Sequence, residues 1–321
     1  MKGQLKYLLF AGVMSTVLLI GTNGYTQISN KSVDQKAAFT ILANDSLEVT
    51  VQADLNKLKQ PISYSSLIET PVCDDSLCHL VQIKLVWDLL GNFHRYEVPE
   101  DRPLTKFDHE EFTQKDHEKL YTILANTESP LRDYRKSDLI DHRVEIKSEI
   151  ADAVSGATNA TIKDDVIEGA LYSTYTLWHI VNGNIAKEIH KRTETSLTPQ
   201  LLKQMLHSES HHEQFYALTK LDVNDVSNSD LLLELILSGK AYVPLFAVQK
   251  LPVESWNSEK YQKQLFSALP ELSFELQNEI INKLPDLTLS RAATLILENN
   301  LKDLKEQQQM KVRKVIQHPG N

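Results

Sequence analysis

The chain of 321 residues is short of long apolar runs, of concentrated positive charge and of cysteine. Its one extended apolar run, Tyr7 to Ile20, falls below the roughly 20 residues that a membrane-spanning helix needs. Lys2 and Lys6 precede that run and Gly21-Thr-Asn-Gly-Tyr-Thr-Gln27 follows it, so residues 1–27 read as a secretory signal peptide cut between Gly21 and Gln27. The expected location is extracytoplasmic, periplasmic or in the cell envelope. No cysteine borders the run to accept a lipid, so a lipoprotein anchor has no support; an uncut signal serving as a tether is the alternative. A formal net charge of -9 with no sustained Lys/Arg run argues against nucleic acid as a partner. Glycine-rich phosphate loops, nucleophile elbows and the His-Glu-x-x-His order are missing as well, which removes the commonest nucleotide-hydrolysing, esterase and zinc-protease designs.

The two cysteines, Cys73 and Cys78, stand in Cys-Asp-Asp-Ser-Leu-Cys-His79. In an exported chain the plainest reading is a local disulfide, which would stabilise by only about 2 kcal/mol because the loop is short. The other readings are c-type haem attachment at Cys73, Cys78 and His79, with a wider spacing than the usual Cys-x-x-Cys-His, and a redox-active pair.

About 295 residues remain after the signal, enough for two domains. Ile28 to Lys36 is polar and reads as a disordered leader, residues 28–36. The segment 37–183 mixes strands and helices. Leu47 to Val51 alternates like a strand, and Leu80 to Trp87 does so more clearly, with Val81, Ile83, Leu85 and Trp87 on one face. Asp88-Leu-Leu-Gly91-Asn92 supplies a turn and Phe93 to Val98 a partner strand, completing a hairpin. Thr113 with Asp116 reads as a cap before a helix whose buried stripe is Leu120, Ile123 and Leu124. Residues 184–321 are patterned for helices alone. Ala217-Leu-Thr-Lys220-Leu221, Ala247-Val-Gln-Lys250-Leu251 and Ile280-Ile-Asn-Lys283-Leu284 repeat one phrase about every thirty residues, with Pro252, Pro270 and Pro285 between them. The fold class expected is α+β, an N-terminal mixed domain followed by an all-α region that resembles a short HEAT-like solenoid.

The most specific stretch is Asp152-Ala153-Val154-Ser155-Gly156-Ala157-Thr158. Small side chains at Ser155, Gly156 and Ala157 permit close approach to the backbone, and Thr158 offers a hydroxyl. Thr161 reads as an N-cap with an acid three residues later, and Ile162, Val166, Ala170, Thr174, Leu177 and Val181 continue at helical spacing. A helix start there would place unpaired N–H groups near an anion on Thr158.

This stretch resembles the flavin-attachment motif of the FMN-binding domain family, Asp-x-x-Ser/Thr-Gly-Ala-Thr, as in the C subunit of sodium-pumping NADH:quinone oxidoreductase. Ala153 stands where that family often has glycine. The resemblance implies FMN held covalently as a phosphoester on Thr158, with Asp152, Ser155, Gly156 and Ala157 recognised by a Mg-dependent FAD:protein FMN transferase. It implies a redox carrier rather than a substrate-converting enzyme, passing electrons outside the cytoplasm between unidentified partner proteins, one of them membrane-bound. The competing expectations are a helical-repeat binding or scaffold protein with a vestigial flavin motif, and the haem protein at Cys73, Cys78 and His79.

Histidines cluster with acids at Asp108-His109-Glu110-Glu111, at Asp116-His117-Glu118 and at His207-Ser-Glu209-Ser-His211-His212-Glu213. None completes a metal-ligand pattern, and solvated helix ends account for them. Trp87, Tyr172, Tyr175 and Trp178 are aromatic at positions that favour interior packing over contact with a flavin ring.

Overall fold

The computed structural model describes residues 25–27, 34–44, 46–72, 80–107, 109–141, 157–222 and 225–317. A sheet fills the N-terminal part. Its strands are β1 (Tyr25–Gln27), β2 (Asp34–Leu42), β3 (Glu48–Leu55), β4 (Pro61–Thr70), β5 (Val81–Trp87) and β6 (Phe93–Val98). The spatial order is β1-β6-β5-β4-β3-β2: an antiparallel meander from β2 to β6, with β1 added parallel to β6 through Tyr25 opposite Tyr96. The hairpin read from Asp88 to Asn92 forms as expected, with Lys84 opposite Glu97 and Trp87 opposite Phe93.

The leader differs from expectation. Asp34, Gln35 and Lys36 belong to β2, paired with Leu55, Asp54 and Ala53. They look like coil in sequence because their side chains are polar, yet their backbone groups join the sheet ladder. Strand β4 carried no clear alternation either, since Ser65 and Ser66 are buried in it. Their hydroxyls are satisfied: Ser65 donates to Asp54 at 3.3 Å and Ser66 to the Thr50 carbonyl at 3.0 Å.

Helix α1 (Gln114–Ala125) starts as the sequence predicts, with a reciprocal cap between Thr113 and Asp116 and with Leu120, Ile123 and Leu124 buried. Short strands β7 (Ile140–Asp141) and β8 (Ala157–Thr158) then pair antiparallel. Helices α2 (Leu171–Val181) and α3 (Asn184–Thr195) follow, and the sheet packs against α1 and α3 while α2 joins them. Trp87 is fully buried at this junction and donates its indole N–H to the Val181 carbonyl at 2.9 Å.

The remainder is helical: α4 (Pro199–Leu206), α5 (His211–Lys220), α6 (Ser229–Ser238), α7 (Val243–Lys250), α8 (Val253–Trp256), α9 (Glu259–Ala268), α10 (Phe274–Lys283), α11 (Arg291–Asn300) and α12 (Glu306–Gln317). The contacts run in two rows, α5 to α7 to α10 to α12 and α6 to α9 to α11. The repeated phrase of the sequence falls at the C-terminal ends of α5, α7 and α10, which touch in that order, and buries Ala217, Ala247 and Ile280 completely. Pro270 and Pro285 sit in the 3-10 turns that end α9 and α10, where a missing N–H is tolerated.

Buried glutamines stitch successive layers. Gln214 donates to the Ser208 carbonyl at 2.9 Å and accepts from the Lys240 N–H at 2.9 Å. Gln262 donates to the Trp256 and Thr288 carbonyls and accepts from the Ser290 N–H at 3.0 Å. Gln277 reaches the carbonyls of Leu269, Pro270 and Leu272, and Gln308 donates to Gln277 at 3.1 Å. Each satisfies loop groups that burial would otherwise leave unpaired. Among the described residues no helix is long and apolar enough to cross a membrane.

Candidate functional site

Thr158 lies in β8 opposite Ile140 and is half-buried. Its neighbour Asn159 donates its backbone N–H to the Leu139 carbonyl at 2.9 Å, so the threonine is pinned on both sides by the same strip of chain. Ala157 pairs with Asp141. Asp152, Ser155 and Gly156 lie outside the described residues, as do Cys73, Cys78 and His79.

The helix expected after the motif takes another form. Asn159, not Thr161, is the cap: its side-chain oxygen accepts from the Thr161 N–H at 3.1 Å. What it starts is a 3-10 helix, Ala160–Asp165, with Ile162 buried beneath it. Val166 is extended, and Gly169 takes a φ of 75° while its carbonyl accepts from the Phe107 N–H at 2.6 Å. That left-handed residue suits glycine and interrupts the helical run, so α2 begins only at Leu171. The apolar spacing from Ile162 to Val181 therefore spans two elements. The anion-favouring end of an α-helix foreseen beside Thr158 is not formed by this segment.

The strip that holds Thr158 continues backward into a 3-10 turn, Lys136–Asp138, and Lys136 lines a cleft of about 870 Å³. Thr70, Tyr175, His179, Asn184 and Lys187 also line it. Tyr175 and His179 stand with ring centroids 4.3 Å apart. The Tyr175 hydroxyl donates to the Tyr134 carbonyl at 2.9 Å, and burial, followed by the Asp138 charge, raises its pKa. His179 meets the Leu131 carbonyl through Nε2 at 3.1 Å, which requires a proton on that nitrogen; burial lowers its pKa and favours the neutral ring. Of the other aromatics, Trp87 and Trp178 are interior, the latter donating to the Asn126 carbonyl at 2.9 Å, while Tyr172 carries Lys136 Nζ 5.6 Å above its ring.

A second constellation surrounds the β5–β6 turn. Asp88 is buried and closes the turn by accepting from the N–H groups of Leu90 and Asn92, each at 2.9 Å. Gly91 there has a φ of 81°, and a Cβ on it would come 2.2 Å from the Ala186 carbonyl oxygen of α3. Glu213 reaches in from α5 and accepts from the Leu89 N–H at 2.7 Å, while Ser210 donates to Asp88 at 2.9 Å and Thr193 donates to the Leu89 carbonyl. Burial first, and then the charge of Asp88, pushes the Glu213 carboxyl up to about 7.

Two histidine-rich stretches thus depart from the solvated ends expected of them. Glu213 is 3% exposed, and His117 is buried with Nδ1 2.8 Å from the Tyr96 hydroxyl. Ser210-x-x-Glu213 has the form of a capping box, yet its carboxylate bonds to the distant turn, a partner that local spacing cannot reveal. Among the described residues no three His, Cys, Asp or Glu side chains converge as metal ligands would.

Comparison with protein-family models, with curated proteins and with solved structures finds no match to this chain.

Proposed function

We propose that the chain is an exported covalent flavoprotein, carrying FMN on Thr158 and passing electrons outside the cytoplasm between partner proteins, with no substrate turnover of its own. The observation that carries this reading is the position of Thr158. Its hydroxyl belongs to a half-buried residue whose backbone is paired with the strip of chain that carries Lys136 into a cleft of about 870 Å³. Thr158 would offer the ester oxygen; the cleft, which Thr158 does not itself line, holds Lys136 and Lys187 as positive charge for a phosphate or an electron-rich ring and Tyr175 as an aromatic surface. Bound flavin would supply one- and two-electron chemistry, and the chain would orient it and tune its surroundings.

Asp152, Ser155, Gly156 and Ala157 are read as the recognition segment for a Mg-dependent FAD:protein FMN transferase. Covalent attachment fits an extracytoplasmic carrier because a dissociable cofactor would be diluted away. The helical half is read as a HEAT-like stack that docks or positions the flavin-bearing part; the support is the repeated phrase at equivalent ends of α5, α7 and α10.

The test is the intact mass of exported protein produced beside a flavin transferase. The expected result is an added mass of one FMN less water, lost in Thr158→Ala and kept in Ser155→Ala. Colourless protein with no flavin mass would leave the helical scaffold reading in its place.

A further inference from the structure

The cleft of about 870 Å³ is walled by the β2–β3 turn, the end of β4, the face of α2 that carries Tyr175 and His179, and the first turn of α3. In that turn the Asn184 side chain donates to the Leu42 carbonyl at 3.2 Å, tying α3 to β2. Lys187, three residues further on, enters the cleft from this fixed point.

Charge in the cleft is of one sign. Among the described lining residues there are two lysines, Lys136 and Lys187, and no Asp or Glu. Burial favours the neutral ring of His179, which adds no charge of its own. The two lysines are not equivalent. Lys136 Nζ lies 5.6 Å above the Tyr172 ring, whereas no ion pair or hydrogen bond engages the Lys187 ammonium among the described residues.

The cleft also lies within reach of the attachment residue. Thr158 pairs with Ile140, and Lys136 precedes Ile140 across a 3-10 turn, so the Cα atoms of Thr158 and Lys136 are no more than about 15 Å apart. A ribityl phosphate arm followed by a three-ring system covers that separation. The oxidised ring of a flavin is neutral. Accepting two electrons from a partner protein and one proton at N5 leaves one negative charge, shared by N1 and the C2 carbonyl oxygen. An ammonium facing that charge in a partly desolvated cleft stabilises the reduced ring more than the oxidised one and so raises the potential.

We propose that Lys187 sets the potential of the flavin: the ring carried by Thr158 lies in the cleft with its N1 and C2 edge toward the Lys187 ammonium, which holds the reduced ring as its anion. The inference rests on the reading of Thr158 as the attachment residue and adds to it where the ring lies and which side chain tunes it.

The test uses full-length protein exported beside a flavin transferase, with flavin on Thr158 first verified by intact mass. Midpoint potentials are then measured from about pH 6 to about pH 8 in the original chain and in Lys187→Met, Lys187→Arg and Lys191→Met. Lys191 is an exposed residue one helical turn further along α3 and outside the cleft, so it controls for charge acting at longer range. Lys187→Met is expected to lower the potential by about 30 mV or more, a tenfold loss of preference for the reduced ring in a two-electron couple. The pH above which reduction takes up one proton instead of two should rise in the same variant. Lys187→Arg should keep the original potential, and Lys191→Met should move it by less than half as much as Lys187→Met. Flavinylated protein in which Lys187→Met leaves the potential unchanged, or in which Lys191→Met shifts it equally, would overturn the role of Lys187 and leave the carrier reading standing. Absence of flavin mass in the first step would overturn both.

Discussion

Glu213 on α5 accepts a hydrogen bond from the backbone N–H of Leu89 at 2.7 Å, joining a helix to a sheet turn 124 residues earlier in the chain. The carboxyl is buried beside Asp88, and its proton affinity is raised from an ordinary 4.5 to about 7. An acid whose folded pKa exceeds its unfolded one stabilises most below the unfolded value and loses that contribution as pH rises through the folded value. Between pH 4.5 and 7 the loss amounts to about 3 kcal/mol. Urea denaturation across pH 5 to about 8 should show stability declining, and Glu213→Gln, which keeps a carbonyl oxygen for Leu89, should flatten the slope. An unchanged slope in the variant would remove Glu213 as the cause.

The buried histidines act in the opposite direction. His117 and His179 have pKa values lowered mainly by burial, so their contribution is present above 6.5 and is lost as the solution becomes acidic. Acid unfolding should therefore begin below pH 6.5, and His117→Gln should move its onset to lower pH if the neutral ring is what the Tyr96 contact holds. NMR titration of the two imidazoles checks the sign directly.

Gly91 is expected to tolerate no side chain. Its φ of 81° and the 2.2 Å approach to the Ala186 carbonyl oxygen mean that Gly91→Ala strains the turn and pushes α3 away from it. The expected destabilisation is about 2 kcal/mol or more, measured by denaturant unfolding. A near-neutral result would show that the turn and α3 separate readily.

Gln262 should be far more sensitive than its surface neighbour. Gln262→Ala would leave two carbonyls and one N–H unpaired inside the helical part, costing about 3 kcal/mol or more. Gln264→Ala on the exposed side of α9 should stay within about 0.5 kcal/mol. Parallel melts of the two variants separate a layer-stitching role from helix propensity, because the residue change is the same.

Strand β1 narrows the expected site of signal cleavage. Tyr25 to Gln27 add to the sheet edge beside β6, so a cut that preserves them falls within Gly21 to Gly24. N-terminal sequencing of exported protein should find Tyr25 retained; a mature chain beginning at Ile28 would mean that the parallel strand is dispensable.

The parts of this fold that sequence reveals are those whose cause is local. Thr113 and Asp116 cap α1 within four residues, and Asp88 to Asn92 forms its turn from its own side chains, so both are legible in the chain itself. Strand β4 was hidden because its buried serines answer to Asp54 and Thr50 on a neighbouring strand, and alternation of hydrophobicity never sees such bonds. The stripe from Ile162 to Val181 misled for the converse reason: its spacing is helical, but Gly169, held against Phe107 and Lys106, divides it. Thr158 could be singled out by motif, whereas the bond from the Leu89 N–H to Glu213 could not, since those groups meet only once α5 lies against the turn.

Composition changes at Gly183, yet the bend after β5 is gripped by Thr193, Ser210 and Glu213, all of which come later. Scissors placed at that apparent border would strip Leu89 of partners on both its amide and its carbonyl and would bare the leucines around it to water. The N-terminal half made alone should clump or stay molten, while the intact chain folds with its helices serving as the lid of its own sheet.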